Sequence, residues 1–136
     1  MRIVIDSNVL FSALIKDSYT RRLILGYSGK FLFPSYIFNE LKKHEDELFV
    51  KSHMRREEFI SLLQVILNKV AIVSPDAFNT YKEEAKALVK DIDPDDVVFV
   101  AVALYAQGII WSDDKKLKSQ KRVLVLSTKE IAQYLE

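Results

Sequence analysis

Short apolar runs alternate with longer amphipathic stretches along this chain. Ile3–Ile5, Phe31–Phe33, Val70–Val73, Ile109–Trp111 and Val123–Leu126 are β-branched or aromatic and almost wholly apolar. Such runs read as strands buried on both faces of a sheet. Between them the apolar positions fall at helical spacing. Val9 to Tyr27 holds two helices, broken near Lys16-Asp17-Ser18. Ser35 is placed to cap a helix running to about Val50, with Ile37, Leu41, His44 and Leu48 as its buried stripe. A further helix, from about Arg56 to Asn68, sets Phe59, Leu62, Leu63, Ile66 and Leu67 on one face. Ser74-Pro75 and Asp93-Pro94 each pair a capping residue with proline at the first helical position, a start signal. Ser127-Thr128-Lys129-Glu130 has the capping-box pattern and opens the last helix.

Alternation of strand and helix implies right-handed crossovers and a parallel sheet with helices on both faces. The expected fold is α/β, a three-layer α/β/α sandwich. The 136 residues contain three glycines and three prolines, with no linker-like segment or internal repeat, so residues 1–136 read as a single domain. The consecutive helices between the second and third strands look like an insertion that forms an arm or clamp.

Composition narrows the chemistry. With no cysteine, disulfide frameworks, thiolate metal sites and thiol nucleophiles are excluded. Twenty Lys plus Arg against nineteen Asp plus Glu give a net charge of +1, which neither favours nor opposes a nucleic-acid partner. No apolar stretch approaches the ~20 residues that span a membrane. No signal-peptide pattern precedes the first strand-like run. The expectation is a soluble, cytoplasmic protein with no membrane partner.

Four acidic residues stand at strand-to-helix junctions. Asp6 ends the first apolar run, and Glu40 lies in the helix after the second. Asp96 sits in the first turn of the apolar helix that Asp93-Pro94 opens, and Asp114 follows Ile109-Ile110-Trp111-Ser112-Asp113. Each has a bland explanation: Asp6 as a helix cap, Glu40 as a solvated side chain, Asp113 and Asp114 as turn formers. Capping accounts for Asp93, but not for three carboxylates in four residues. In a parallel sheet all these junctions lie along one edge, where ligands bind. Two like charges ~4 Å apart repel by roughly 4 kcal/mol at an effective dielectric near 20. Several carboxylates therefore gather comfortably only around a cation or with some protonated. Mg²⁺ or Mn²⁺ suits such oxygen donors, and metal-assisted phosphodiester hydrolysis, probing toward a nuclease, is the chemistry that follows. Asn8 is placed to steady Asp6 by a side-chain hydrogen bond, and Ser112 to donate to a phosphate or a ligand carboxylate.

These residues resemble the PIN domain family, nucleases that include the VapC-type toxins. The resemblance runs from Ile3-Val4-Ile5-Asp6-Ser7-Asn8-Val9-Leu10, through Glu40 and the segment Asp96 to Leu104, to Trp111-Ser112-Asp113-Asp114-Lys115-Lys116-Leu117. It implies a five-stranded parallel sheet flanked by helices. It also implies Mg²⁺- or Mn²⁺-dependent cleavage of single-stranded or structured RNA, with Asp6, Glu40, Asp96 and Asp114 as the catalytic and metal-binding quartet. Asn8 and Ser112 match the family's supporting polar positions; serine there keeps the hydroxyl of the usual threonine. Asp96 is preferred to Asp95 on its spacing to Phe99 and Ala101, and Asp114 to Asp113 because the latter position is usually variable. An antitoxin partner and a homodimer are further implications.

Lys115, Lys116 and Lys118, with Lys121 and Arg122 beyond, follow Asp114 and could hold RNA phosphates. Arg21-Arg22 and the stretch from Lys51 to Arg56 are weaker candidates. Tyr19, Tyr36 and Phe38 could stack on bases, though core packing suits most aromatics here. His44 and His53 lack a ligand-pair spacing and read as structural or surface residues. Two rival readings remain. A phosphoacceptor receiver domain needs adjacent acids after the first strand, where this chain has Ser7 and Asn8. A catalytically weak PIN fold serving as an RNA-binding or scaffold module would lack divalent-metal binding.

Overall fold

The computed structural model describes residues 2–15, 18–89 and 94–135. Five strands form one sheet: β1 (Ile3–Ile5), β2 (Phe31–Pro34), β3 (Val70–Val73), β4 (Ile109–Trp111) and β5 (Val125–Leu126). Their spatial order is β3-β2-β1-β4-β5, and every pairing is parallel. The helices are α1 (Ser7–Ile15), α2 (Tyr19–Gly26), α3 (Ile37–Ser52), α4 (Arg56–Leu67), α5 (Pro75–Phe78), α6 (Lys82–Leu88), α7 (Pro94–Ala106) and α8 (Thr128–Leu135). From β1 the chain moves outward through β2 to β3, then crosses back to β4 on the other side of β1. Strand order therefore reverses between β1 and β4, and the crevice outside their carboxyl ends is where such sheets bind ligands. Asp6 and Ser112 are the first residues beyond those two strands.

The core explains this arrangement. Ile3, Val4 and Ile5 are fully buried, as a central strand covered on both faces requires. α7 is apolar nearly all round, with Val97 and every residue from Phe99 to Leu104 buried. Such a helix must be enclosed; it lies against β1, β2 and β4 on one side and α5 and α6 on the other. Phe33 meets Phe99 edge-on at 5.4 Å, and Tyr36 meets Phe99 at 6.0 Å. Those contacts tie the start of α7 to the end of β2 and the start of α3. Where β4 begins beside Arg2, Gly108 has no room for a side chain: a Cβ there would lie 2.6 Å from the Arg2 carbonyl oxygen.

Several expectations hold and some shift. The break between α1 and α2 is present, although Lys16 and Asp17 lie outside the described residues. Ser18 caps α2 by accepting from the Arg21 N–H at 3.3 Å. The α8 capping box is complete: Ser127 N–H donates to Glu130 Oε1, and Glu130 N–H donates to Ser127 Oγ. Asp93, expected to cap α7, lies outside the described residues. Ser35 is not the cap of α3. It sits in a turn, its N–H donating to the Val73 carbonyl at 3.0 Å, and Tyr36 takes the cap position without a side-chain capping bond. The last strand is shorter than expected because the Gln120 side chain bonds both the N–H and the carbonyl of Val123, holding it in a turn. The pair α3 and α4 is no free arm, since both pack against α1.

Candidate functional site

Asp6 is the centre of the site. Its position after a buried strand leaves it only 4% exposed. Ser112, fully buried after β4, donates its Oγ–H to Asp6 Oδ2 at 2.6 Å. The other carboxylate oxygen, Oδ1, accepts from the Asn8 backbone N–H at 3.2 Å. Asp6 thus serves the first turn of α1 as a cap would, while facing the crevice. The bond from Asn8 that reaches Asp6 comes from its backbone, where the sequence suggested its side chain. Burial pushes the Asp6 carboxyl above the ordinary aspartate range. The Ser112 and Asn8 hydrogen bonds pull it back, and the charges of Asp114 and Asp113 raise it again.

Ser112 also connects Asp6 to Asp114. Its Oγ accepts from the Asp114 backbone N–H at 3.0 Å. One hydroxyl therefore fixes the buried carboxylate and the backbone of the next acidic residue. Asp114 in turn caps the 3₁₀ turn Lys115–Ser119, its Oδ1 accepting from the Lys116 N–H at 3.0 Å. Asp113 points elsewhere: its two oxygens accept from the Thr128 N–H and Oγ–H, each at 2.7 Å, which anchors the start of α8. Thr128 Oγ also accepts from the buried Trp111 indole N–H at 3.0 Å.

A cavity of about 500 Å³ opens beside Asp6 and is lined by Asp6, Ser7, Asn8, Glu40 and Asp96. Glu40 and Asp96 share it, and Tyr36 and Phe99, close to each in sequence, pack together and line it as well. Asp114 does not line this cavity. It borders a smaller one with Asp6, Asn8 and Asp113, so Asp6 is common to both. The structure thus brings Asp6, Glu40 and Asp96 to one cavity and sets Asp114 on the adjoining side. Their donor set, carboxylate oxygen throughout, has the chemistry that a hard divalent cation takes. The spacing is wider than expected: among the described residues, no three carboxylate or imidazole groups are close enough to hold an ion.

His44, expected to be a structural or surface residue, borders the site. It lines the same cavity, half-buried, with Nε2 3.6 Å from Glu40 and Nδ1 3.5 Å from Glu47. Its ring lies 5.8 Å from that of Phe11. The i, i+4 step from Glu40 put it on the same face, the signal that could have found it. Of the expected basic residues, Lys115 and Lys116 are exposed beside Asp114, whereas Lys118 is paired with Glu130. That pairing, with the Ser127 bonds, holds the Glu130 carboxyl down at about 2. Tyr36 lines the cavity while packing against Phe33 and Phe99, whereas Tyr19 and Phe38 are exposed and do not line it.

Fold and site together define an α/β protein with an acidic crevice at the switch point of its sheet. The chain belongs to the PIN domain family, whose family model matches residues 4–136 and whose members are generally nucleases that use divalent metals. Its fold is similar to that in the crystal structure of VapBC2 from Rickettsia felis bound to a DNA fragment from their promoter. The match covers 93% of this chain and 98% of that one, at 17% identity and a TM-score of 0.68. A search of curated proteins found no match to this chain. Among the described residues, no helix is long and apolar enough to cross a membrane.

Proposed function

We propose that this chain is a ribonuclease dependent on Mg²⁺ or Mn²⁺, and the toxin partner of an antitoxin protein. The observation that carries the reading is the Asp6–Ser112–Asp114 linkage at the switch point, with Glu40 and Asp96 lining the cavity that Asp6 enters. Asp6, Glu40 and Asp96 would hold the cation, with Asp114 joining from the adjoining side. A divalent cation bound there supplies charge stabilisation at the phosphoryl oxygens and lowers the pKa of water.

The chain's own residues do the rest. Ser112 keeps Asp6 oriented and favours its ionised form against the cost of burial. The Asn8 N–H holds the second oxygen, so the carboxylate is fixed at both ends. Lys115 and Lys116, exposed next to Asp114, are placed to meet backbone phosphates. The antitoxin part of the reading is supported by fold likeness to the VapBC2 structure, in which toxin and antitoxin are together.

The test is incubation of folded protein with a mixed RNA pool in Mg²⁺, in Mn²⁺ and in EDTA. Cutting in either metal that EDTA abolishes is the expected result. RNA binding without cutting in both metals would instead favour the binding-module reading.

A further inference from the structure

The cavity beside Asp6 extends well past the carboxylates. Besides Tyr36 and Phe99 near the carboxylates, its lining comes from one face of α1, with Phe11 and Ile15, and one face of α3, with His44, Glu47, Leu48 and Lys51. Residues four apart on α1, and three or four apart on α3, lie in line along each helix. At 1.5 Å per residue, the α1 wall from Ser7 to Ile15 is about 12 Å long. The two helices therefore form a trough leading away from the acidic crevice, longer than a stacked nucleotide step of ~3.4 Å.

The chemistry of the trough differs from that of the crevice. Its walls mix the apolar Phe11, Ile15 and Leu48 with His44, Glu47 and Lys51, and the Phe11 and His44 rings lie 5.8 Å apart, tilted by 54°. Its one cation, among the described lining residues, is Lys51, and that is paired with Glu47 at 2.7 Å. The Glu47 carboxylate makes the trough unwelcoming to phosphate. A nucleobase is different: it is uncharged, flat, and carries N–H donors at its edge. Glu47 can still accept more hydrogen bonds, since a carboxylate has about four acceptor sites.

Resting on the ribonuclease reading above, we propose that the trough between α1 and α3 receives a base next to the cleaved phosphate. Phe11 and His44 form its stacking wall, and Glu47 selects bases that bear an exocyclic amino group. Uracil fits worst, because its single N–H is flanked by two carbonyl oxygens that face the carboxylate. Phosphates stay outside, near Asp6 and the lysines after Asp114.

Binding of uncleavable 2′-O-methyl tetranucleotides in Mg²⁺ tests this without chemistry. Each carries A, C, G, U or an abasic sugar at every position, and fluorescence anisotropy reads the affinity. Wild type is expected to bind the A, C and G oligomers more tightly than the U or abasic ones. His44→Ala should weaken that binding by about 5- to 100-fold, the range for one base–aromatic stack. His44→Phe should restore it, which a merely structural loss would not. Glu47→Gln should narrow the gap between U and the other bases. Equal binding of all five oligomers by wild type, no binding of any, or indifference to His44→Ala overturns the proposal. Cleavage of the matching unmodified RNAs is scored separately. Base-selective binding without cleavage would remove the nuclease reading and leave the trough standing.

Discussion

Replacing Ser112 with alanine is the sharpest perturbation of this site, because one hydroxyl makes two bonds there. It donates to Asp6 Oδ2 at 2.6 Å and accepts from the Asp114 N–H at 3.0 Å. Ser112 is fully buried and Asp6 nearly so, hence water cannot take over the lost bonds. A hydrogen bond to a charged group contributes about 1.5–3 kcal/mol, and a neutral one about 0.5–1.5. Ser112→Ala should therefore cost roughly 2–4 kcal/mol near neutral pH. For a domain of this length that is a fall in Tm on the order of 10 °C. The cost must also depend on pH. The lost bond favours ionised Asp6, so the variant's Asp6 carboxyl rises further above its ordinary value than the wild type's. The deficit is then full at pH values above the variant's raised Asp6 pKa, where Asp6 is ionised in both proteins. It shrinks as pH falls through the two raised Asp6 values and is smallest below the wild type's own raised value. Urea unfolding of both proteins from pH 4 to pH 8 measures it. Ser112→Thr, which keeps the hydroxyl, should recover much of the loss. A deficit under about 0.5 kcal/mol, or one that does not change with pH, would refute the reasoning.

Other substitutions separate function from stability. Asp6→Asn removes a buried charge whose carboxyl is raised by folding. A raised group contributes stability at low pH that is lost as pH rises through its folded pKa. The variant's thermal stability relative to wild type should thus improve with rising pH, and melts at pH 5 and pH 8 read this directly. Mg²⁺ at 100 times its dissociation constant should stabilise wild type by about 2.7 kcal/mol and leave Asp6→Asn unmoved. Asp113→Ala should destabilise by about 0.5–2 kcal/mol, the worth of a helix cap, yet spare metal-dependent cutting. Asp114→Ala, which loses its bond to the Lys116 N–H, should cost a similar amount of stability but also weaken metal-dependent cutting in the same assays. The Glu130 carboxyl, held at about 2, should titrate there by NMR. Its contribution to stability should persist above the ordinary glutamate range and be lost as pH falls from about 4 toward 2; Lys118→Ala should move the titration upward.

The strands, the sheet and the helix order were legible because each rests on a local pattern. Fully apolar runs marked buried strands, and Ser127 with Glu130 marked the start of α8. Asp6 and Ser112 stood out because a polar residue ending a buried strand has one place to go. What was not legible depended on contacts distant in sequence. Ser35 lost its expected capping role to a bond with Val73, across the sheet. Gln120 shortened the last strand by binding Val123 through its side chain, a loop geometry that composition does not encode. The contact of His44 with Phe11, on another helix, is likewise not encoded locally. Asp113 and Asp114 were told apart in sequence only by resemblance; in the structure Thr128 engages Asp113 and Ser112 holds Asp114.

Cleavage of a mixed RNA pool by wild type, Asp6→Asn and Asp113→Asn, side by side in Mn²⁺ and in EDTA, tests the central claim most directly. The expected result is metal-dependent cutting by wild type and by Asp113→Asn, and none by folded Asp6→Asn. Undiminished cutting by Asp6→Asn would contradict it, because the reaction would then take place somewhere other than the crevice that Asp6 and Ser112 build.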